Sequence, residues 1–240
     1  MIVIPMVGKS SRFFDAGYTR PKYELVVWGY SVFHHAVNSF CQYFERDSFL
    51  FIIRNDYGAK DFVQHELELL GLKRFYIKVL DDDTRGQADT VFQGIQDVDK
   101  NEPLYIFNID TFRPGFIKPA ISEKCDGYLE VFEGEGNHWS FVEAGQDGQV
   151  IRTTEKQRIS NLCSDGLYFF GKKSYFEEAY KYAVLHEKTD RGEFYVAPLY
   201  NILIKQGLDI RFVKIDRSEL VFCGTPLEFE ALINQAPSGG

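Results

Sequence analysis

The sequence predicts an α/β fold, a three-layer sandwich with helices on both faces of a predominantly parallel central sheet, joined to a mixed-sheet lobe. Three observations carry that expectation. The apolar runs at 2–7, 49–53 and 103–107 are continuous rather than alternating, as strands buried on both faces are. Segments with apolar residues at helical spacing lie between them, and strand, helix, strand in alternation is the pattern of a doubly wound sheet. Beyond Thr111 closely spaced strands follow at 127–132, 139–143 and 150–154, with a hairpin turn at Gln146-Asp147-Gly148, which marks a mixed, partly antiparallel portion. With 240 residues and 45% apolar content the chain can bury a full core. We expect one domain over 1–235, its first half ending near 112 and its lobe starting near 113, and a loose tail at 236–240.

Taken in order, residues 2–7 form the first strand and 25–28 a short one, after which Gly29-Tyr30 turns into a helix from about 31. Phe33, Val37, Phe40, Cys41 and Phe44 share one face of that helix. His34 and His35 have no acidic or Cys partner at i+3 or i+4, and read as surface or satisfied histidines rather than metal ligands. A helix ending at Gly71 turns Phe62, Leu67 and Leu70 inward, and a strand follows at 75–80. Asp81-Asp82-Asp83 reads as a solvated acidic turn, because consecutive side chains point in different directions. A helix then opens near Gly86 and runs through Ile95. Later come a strand at 167–170, a helix at 174–185 with Phe176, Ala179, Tyr180 and Ala183 inward, and strands at 210–215 and 220–223. Gly224-Thr225-Pro226 introduces a last helix with Phe229, Leu232 and Ile233 inward.

Composition excludes several function classes. A formal net charge of −8 argues against a general nucleic-acid or acidic-membrane surface, since such binding needs clustered cations. Any anion site must be local. Cys41, Cys125, Cys163 and Cys223 are widely spread, without paired metal spacing, and read as buried small residues of a reducing compartment. The run at 2–7 is short for a signal peptide, and nowhere do 18 apolar residues run together. We therefore expect a cytoplasmic chain with no nucleic-acid or membrane partner, compatible with self-association into a homo-oligomer.

The chemistry concentrates after the first strand, in the stretch Gly8-Lys9-Ser10-Ser11-Arg12 and on to Pro21-Lys22. A small, Gly/Ser-rich, basic loop at the carboxyl end of a strand presents N–H groups and cations where open α/β sheets bind phosphates. Gly8, Ser10 and Ser11 lack bulk, so the backbone can approach a phosphate and the hydroxyls can donate to it. Arg12 offers a bidentate fork and Lys22 a point charge. The spacing is neither a P-loop nor a dinucleotide fingerprint, and an ordinary solvated polar loop is the alternative. Asp110 stands where the strand 103–107 leaves the sheet, and beside a cationic cradle it suits Mg²⁺.

Gly-x-x-Ser-Arg-Phe, then Gly17-Tyr18, then Pro21-Lys22, directly after a strand, resembles the signature of the sugar-phosphate nucleotidyltransferases, the nucleotide-sugar pyrophosphorylases. Those enzymes usually have a second glycine where this chain has Ser10. Asn108-Ile109-Asp110 is similar to their Asn-Gly-Asp, and Gly86-Gln87-Ala88 to the segment that contacts their nucleobase. Glu155-Lys156, the stretch from Asn161 to Gly166, and Gly192-Glu193-Phe194-Tyr195 resemble their second-substrate motifs. Many relatives read Asp-x-Gly-Thr-Pro near the end, the Asp helping to bind the metal; here that position is Phe222. The likeness spans nearly the whole chain.

The resemblance implies a GT-A-like, Rossmann-type domain and attack of a phosphorylated small molecule, such as a sugar phosphate, on a nucleoside triphosphate with release of pyrophosphate. It implies a use in surface polysaccharide or cell-envelope precursor synthesis. In that scheme Gly8, Ser10, Ser11 and Arg12 bind the triphosphate, Lys22 sits at the α-phosphate, and Asp110 carries Mg²⁺. Gly86 and Gln87 seat the base; Glu155, Lys156, Asn161 and Glu193 face the second substrate. A surface ion pair is the alternative for Glu155 and Lys156. A glycosyltransferase of the same fold, or a non-catalytic nucleotide-binding protein, are the rival functions.

Overall fold

The first strand, β1 (Ile2–Pro5), sets the layers, because alternate side chains leave a strand on opposite faces. Ile2 and Ile4 join one apolar cluster, with Phe33, Phe51 and Phe107; Val3 joins the other, with Ile52, Val91 and Ile106. All nine are fully buried. The computed structural model describes residues 1–235, and the tail expected at 236–240 lies outside them.

After β1 come a one-turn helix α1 (Ser11–Asp15), the small hairpin of β2 (Val26–Val27) and β3 (Tyr30–Ser31), then α2 (Val32–Asn38) and β4 (Phe49–Arg54). Next are α3 (Ala59–Leu70), β5 (Phe75–Leu80), α4 (Gln87–Gly94), β6 (Leu104–Phe107) and β7 (Thr111–Phe112). The lobe adds β8 (Gly127–Glu133), β9 (Ser140–Ala144), β10 (Val150–Glu155), β11 (Leu162–Phe170), α5 (Lys173–Leu185) and α6 (Tyr200–Lys205). It closes with β12 (Ile210–Lys214), β13 (Val221–Phe222) and α7 (Pro226–Ile233).

β5, β4, β1 and β6 are parallel neighbours, so their carboxyl ends share one edge. β11 then pairs antiparallel with β6, from Leu167 opposite Phe107 to Phe170 opposite Leu104. The sheet thereby runs unbroken from the first half into the lobe and reaches nine strands. It is mixed there as expected: β8 and β9 run antiparallel to β11, while β12 runs parallel to β8. β7 and β13 form a separate ribbon.

Aromatics fill both interlayer spaces. Phe40 meets Phe107 edge-on at 5.1 Å on one face, and Phe170 stacks on Tyr200 at 4.6 Å on the other. Each such fully buried side chain contributes about 1.5–3 kcal/mol. The Tyr200 hydroxyl, buried with its ring, donates to the carbonyls of Tyr128 and Phe169 and so incurs no desolvation penalty. Thr225 and Glu228 cap α7 reciprocally, with Pro226 at its first position.

Several expectations need correction. α2 stops at Asn38, where the Ser39 hydroxyl donates back to His35 O and accepts from Arg113 N, so the predicted face is cut short and Cys41 is exposed. Phe62 and Leu70 are only half-buried, and Ile233 is exposed. β11 starts at Leu162, so Ser164, Asp165 and Gly166 lie within the strand rather than before it. Asp83 is not a free charge, since it pairs with Lys9 and Arg54. The histidines agree with the reading as non-ligands: His35 Nε2 lies 2.8 Å from Val27 O, and His34 Nδ1 stands 3.3 Å from Glu66 Oε2. Among the described residues no helix is long and apolar enough to cross a membrane.

Candidate active site

The carboxyl edge of β1, β4 and β6 opens into a cavity of about 790 Å³ whose far wall is the lobe. The loop after β1 contributes Gly8, Lys9, Ser11 and Arg12, with Arg12 exposed at the rim. Ser10 turns this loop in the left-handed region, at φ 51°, where a glycine would be unstrained and another residue costs about 1–2 kcal/mol. Ser10 is not among the residues that line the cavity. Its hydroxyl accepts from the Lys22 backbone N–H at 3.1 Å and so braces the approach of Lys22.

Lys22 Nζ forms an ion pair with the Asp110 carboxylate inside the cavity, both side chains being 21% exposed. Asp110 is fixed from the other side, because its carbonyl accepts from Cys223 N at 2.8 Å. Burial, with the carboxylates of Asp110 and Glu228 nearby, pushes the Cys223 thiol up to about 12, so it stays protonated.

Gly86 has another role than leaving room for a base. A Cβ there would stand 2.6 Å from Phe194 O and 2.8 Å from Phe194 N, at φ 113°, so glycine lets the 193–195 segment cross the start of α4. Phe194 N donates to Arg85 O, and Ala88 N to Phe194 O, which ties the two segments together. Burial opposes ionisation of Asp89, but the Arg85 N–H and the Tyr180 hydroxyl outweigh it and hold the carboxyl low. Gln87 lines the cavity and donates from Nε2 to Asn108 Oδ1 at 2.5 Å. Asn108 in turn fills the space above Gly166, where a Cβ would come within 2.2 Å of Nδ2.

On the lobe wall Glu155 is buried and accepts from the Ser140 hydroxyl at 2.5 Å. Burial raises its carboxyl above the usual range, and Ser140 and Lys156 offset this only in part. Lys156 Nζ donates to the Tyr195 hydroxyl at 2.6 Å, which donates to Glu193 Oε2 at 2.6 Å. Below this wall Asp165, wholly buried, faces Glu130 across the β11–β8 register shift. Burial raises both carboxyls, Asp165 the more, while Glu130 accepts from Arg113 Nε at 2.7 Å. Glu130 keeps its tie to Arg113, while Asp165 Oδ1 accepts from Leu167 N and burial favours the protonated form of this carboxyl.

Of the residues expected from the sequence, Gly8, Ser11, Arg12, Lys22, Gly86, Gln87, Asp110, Glu155 and Glu193 come together on this cavity. Ser10 and Lys156 stand behind it. Asn161 does not join them: it is exposed, and its Oδ1 accepts from Arg158 at 2.6 Å. Sequence reasoning missed Lys9, Arg54 and Asp83 at the rim and Ser140, Tyr168 and Tyr195 on the lobe wall. For Lys9 and Arg54 a signal was present, since each is a cation at or just past the end of a buried strand.

Phe222 lines the cavity as part of an aromatic cluster, 4.7 Å from Trp139 and 5.3 Å from Phe132, with Arg217 over its ring. Among the described residues no group of three or more His, Cys, Asp or Glu could cage a metal. Mg²⁺ does not need such a cage, because it binds through one or two carboxylates together with substrate phosphates. Asp110 fits that donor pattern, and Glu228, whose Oε2 accepts from Gly224 N and Thr225 N, stands beside it at Gly224.

A basic loop at the edge of a parallel sheet, facing an acid- and aromatic-lined wall across one cavity, defines a nucleotide-using α/β protein with room for a second substrate. The chain is 50% identical to a nucleoside-diphosphate-sugar pyrophosphorylase of Vibrio cholerae RC9, over 98% of this chain and 100% of that one, with a TM-score of 0.94. It belongs to that family, the sugar-phosphate nucleotidyltransferases. The inositol-1-phosphate CTP transferase of T. maritima shares the fold at 13% identity, over 95% of this chain and 90% of that one, with a TM-score of 0.73. A UDP-glucose pyrophosphorylase solved with UDP-glucose does so at 14%, over 97% and 96%, with a TM-score of 0.71. No family model and no curated protein sequence matches the chain.

Proposed function

We propose that Arg12, Lys22 and Asp110 are the catalytic set of a nucleotidyltransferase that couples a nucleoside triphosphate to a sugar phosphate, or a similar phosphorylated small molecule, with Mg²⁺ as cofactor. An anionic phosphate oxygen of the acceptor attacks the α-phosphorus, the bond from that phosphorus to the β-bridging oxygen breaks, and pyrophosphate leaves. The nucleophile is already charged, so no general base is required, and catalysis consists of positioning and charge neutralisation. Arg12 holds the leaving phosphates and Lys22 offsets charge at the α-phosphate. Mg²⁺, held through Asp110, supplies further neutralisation when bound. Gly8 and Ser11 cradle the triphosphate, Ser10 keeps Lys22 in place, and Gln87, freed from Asn108, reads the base. Glu155 and Glu193 accept from acceptor hydroxyls, and Lys156 orients Tyr195 toward them. A cytoplasmic role in supplying precursors for surface polysaccharide or the cell envelope goes with this chemistry.

The observation that carries the reading is the Lys22–Asp110 ion pair, which joins the phosphate loop to the end of β6 inside a cavity shared with the lobe. The test is a thermal-shift panel of ATP, CTP, GTP, UTP and dTTP, each with Mg²⁺ or with a chelator. One or two nucleotides should raise the unfolding midpoint, and more with Mg²⁺. No shift at millimolar concentration, with no binding by calorimetry, would contradict the proposal. A nucleoside diphosphate product in place of pyrophosphate would indicate a glycosyltransferase.

A further inference from the structure

Arg54 ends β4, and β4 lies parallel to β1 with Ile52 opposite Pro5, so Arg54 emerges from the carboxyl edge beside the loop that carries Lys9. Both cations line the active cavity. A single carboxylate stands between them: Asp83 accepts from Lys9 Nζ at 2.5 Å through Oδ2 and from Arg54 Nη1 through Oδ1. Arg54 is oriented from behind by Asp56, which accepts from its Nε at 2.7 Å.

We infer that Lys9 and Arg54 form a subsite for the β,γ-diphosphate of the nucleotide, and for pyrophosphate as it departs, and that Asp83 is the internal anion that fills this subsite until phosphate displaces it. The inference rests on the triphosphate lying along the Gly8–Arg12 loop, as proposed above. Asp83 bridges two cations with two oxygens, which is what a diphosphate does with more oxygens and more charge. The Asp83 and Lys9 side chains are 58% and 62% exposed, so their mutual attraction is screened by water and easily exchanged. Arg54 is only 25% exposed and keeps its orientation through Asp56 when Asp83 leaves. A pyrophosphate that meets Asp83 on its way out is exchanged for it, so the carboxylate favours product release.

The subsite is tested by calorimetric titration of inorganic pyrophosphate into the full chain and into Arg54→Gln, Lys9→Gln and Asp83→Asn, beside a titration of the nucleoside monophosphate of the preferred base. Losing one charged contact should weaken pyrophosphate binding about tenfold in Arg54→Gln and in Lys9→Gln. Asp83→Asn should tighten it, and monophosphate affinity should stay as in the wild type throughout. Lys9→Gln alters a mostly exposed side chain and carries the test if Arg54→Gln does not fold. Wild-type pyrophosphate affinity in folded Arg54→Gln and Lys9→Gln, or no tightening in Asp83→Asn, would overturn the inference. If this pattern holds but no triphosphate yields pyrophosphate, the subsite stands and the transferase proposal falls. If pyrophosphate is made but the variants bind it like the wild type, the reverse is true.

Discussion

Lys22 and Asp110 are 88 positions apart in the chain and meet in one ion pair. In the proposed role Lys22 acts mainly on charge that develops in the transition state, so Lys22→Ala should lower kcat by about 10²–10³ while the unfolding midpoint moves little. Steady-state kinetics beside a thermal melt decide this, and near wild-type kcat in folded protein would remove the role. Gly86→Ala is expected to act through the fold instead, because its Cβ would press on the backbone of Phe194 and its φ of 113° is strained for alanine. A loss of about 1–3 kcal/mol in urea unfolding is the expected result. Lys22 and Asp110 were legible because each follows a buried strand or its loop. Asp83 was not, since an acidic run reads as a solvated turn and its partner on β1's loop is 74 positions away.

At the scale of elements, β11 shows why polar letters mislead. Ser164, Asp165 and Gly166 look like the end of a loop, yet they are buried within a strand, where burial favours the protonated, uncharged form of the Asp165 carboxyl. The linkage to pH follows. A folded-state pKa above the unfolded one means the native state binds more protons between the two values. Stability from this site is therefore full at acidic pH and is lost as pH climbs from the ordinary carboxylate range through the raised pKa of Asp165. Asp165→Asn keeps an oxygen for Leu167 N and does not titrate. The urea midpoint should fall less between pH 5 and pH 8 in the variant than in the wild type, and equal falls would contradict the raised pKa of Asp165. α2 misled in the other direction: Phe33 and Val37 follow its face, but the apolar spacing continued past the point where Ser39 bonds back and ends the helix.

For the whole molecule, the alternation of buried runs and amphipathic segments was enough to read the layers and the parallel half, since each strand there is apolar on both faces. How the halves join was not legible, because the pairing of β11 with β6 is a long-range register that local pattern does not encode. That pairing places the lobe wall opposite the basic loop after β1 and makes one cavity of two sets of motifs. The central claim is that this cavity transfers a nucleotidyl group directly between its two substrates. The most direct measurement incubates the protein with Mg²⁺, an α-phosphate-labelled triphosphate that binds, and a panel of sugar phosphates, and follows label and pyrophosphate together. The account predicts that one acceptor takes up the label in a nucleoside diphosphate sugar, with one pyrophosphate released per molecule formed. Pyrophosphate absent with every acceptor, or label found only in free nucleotide, would contradict it.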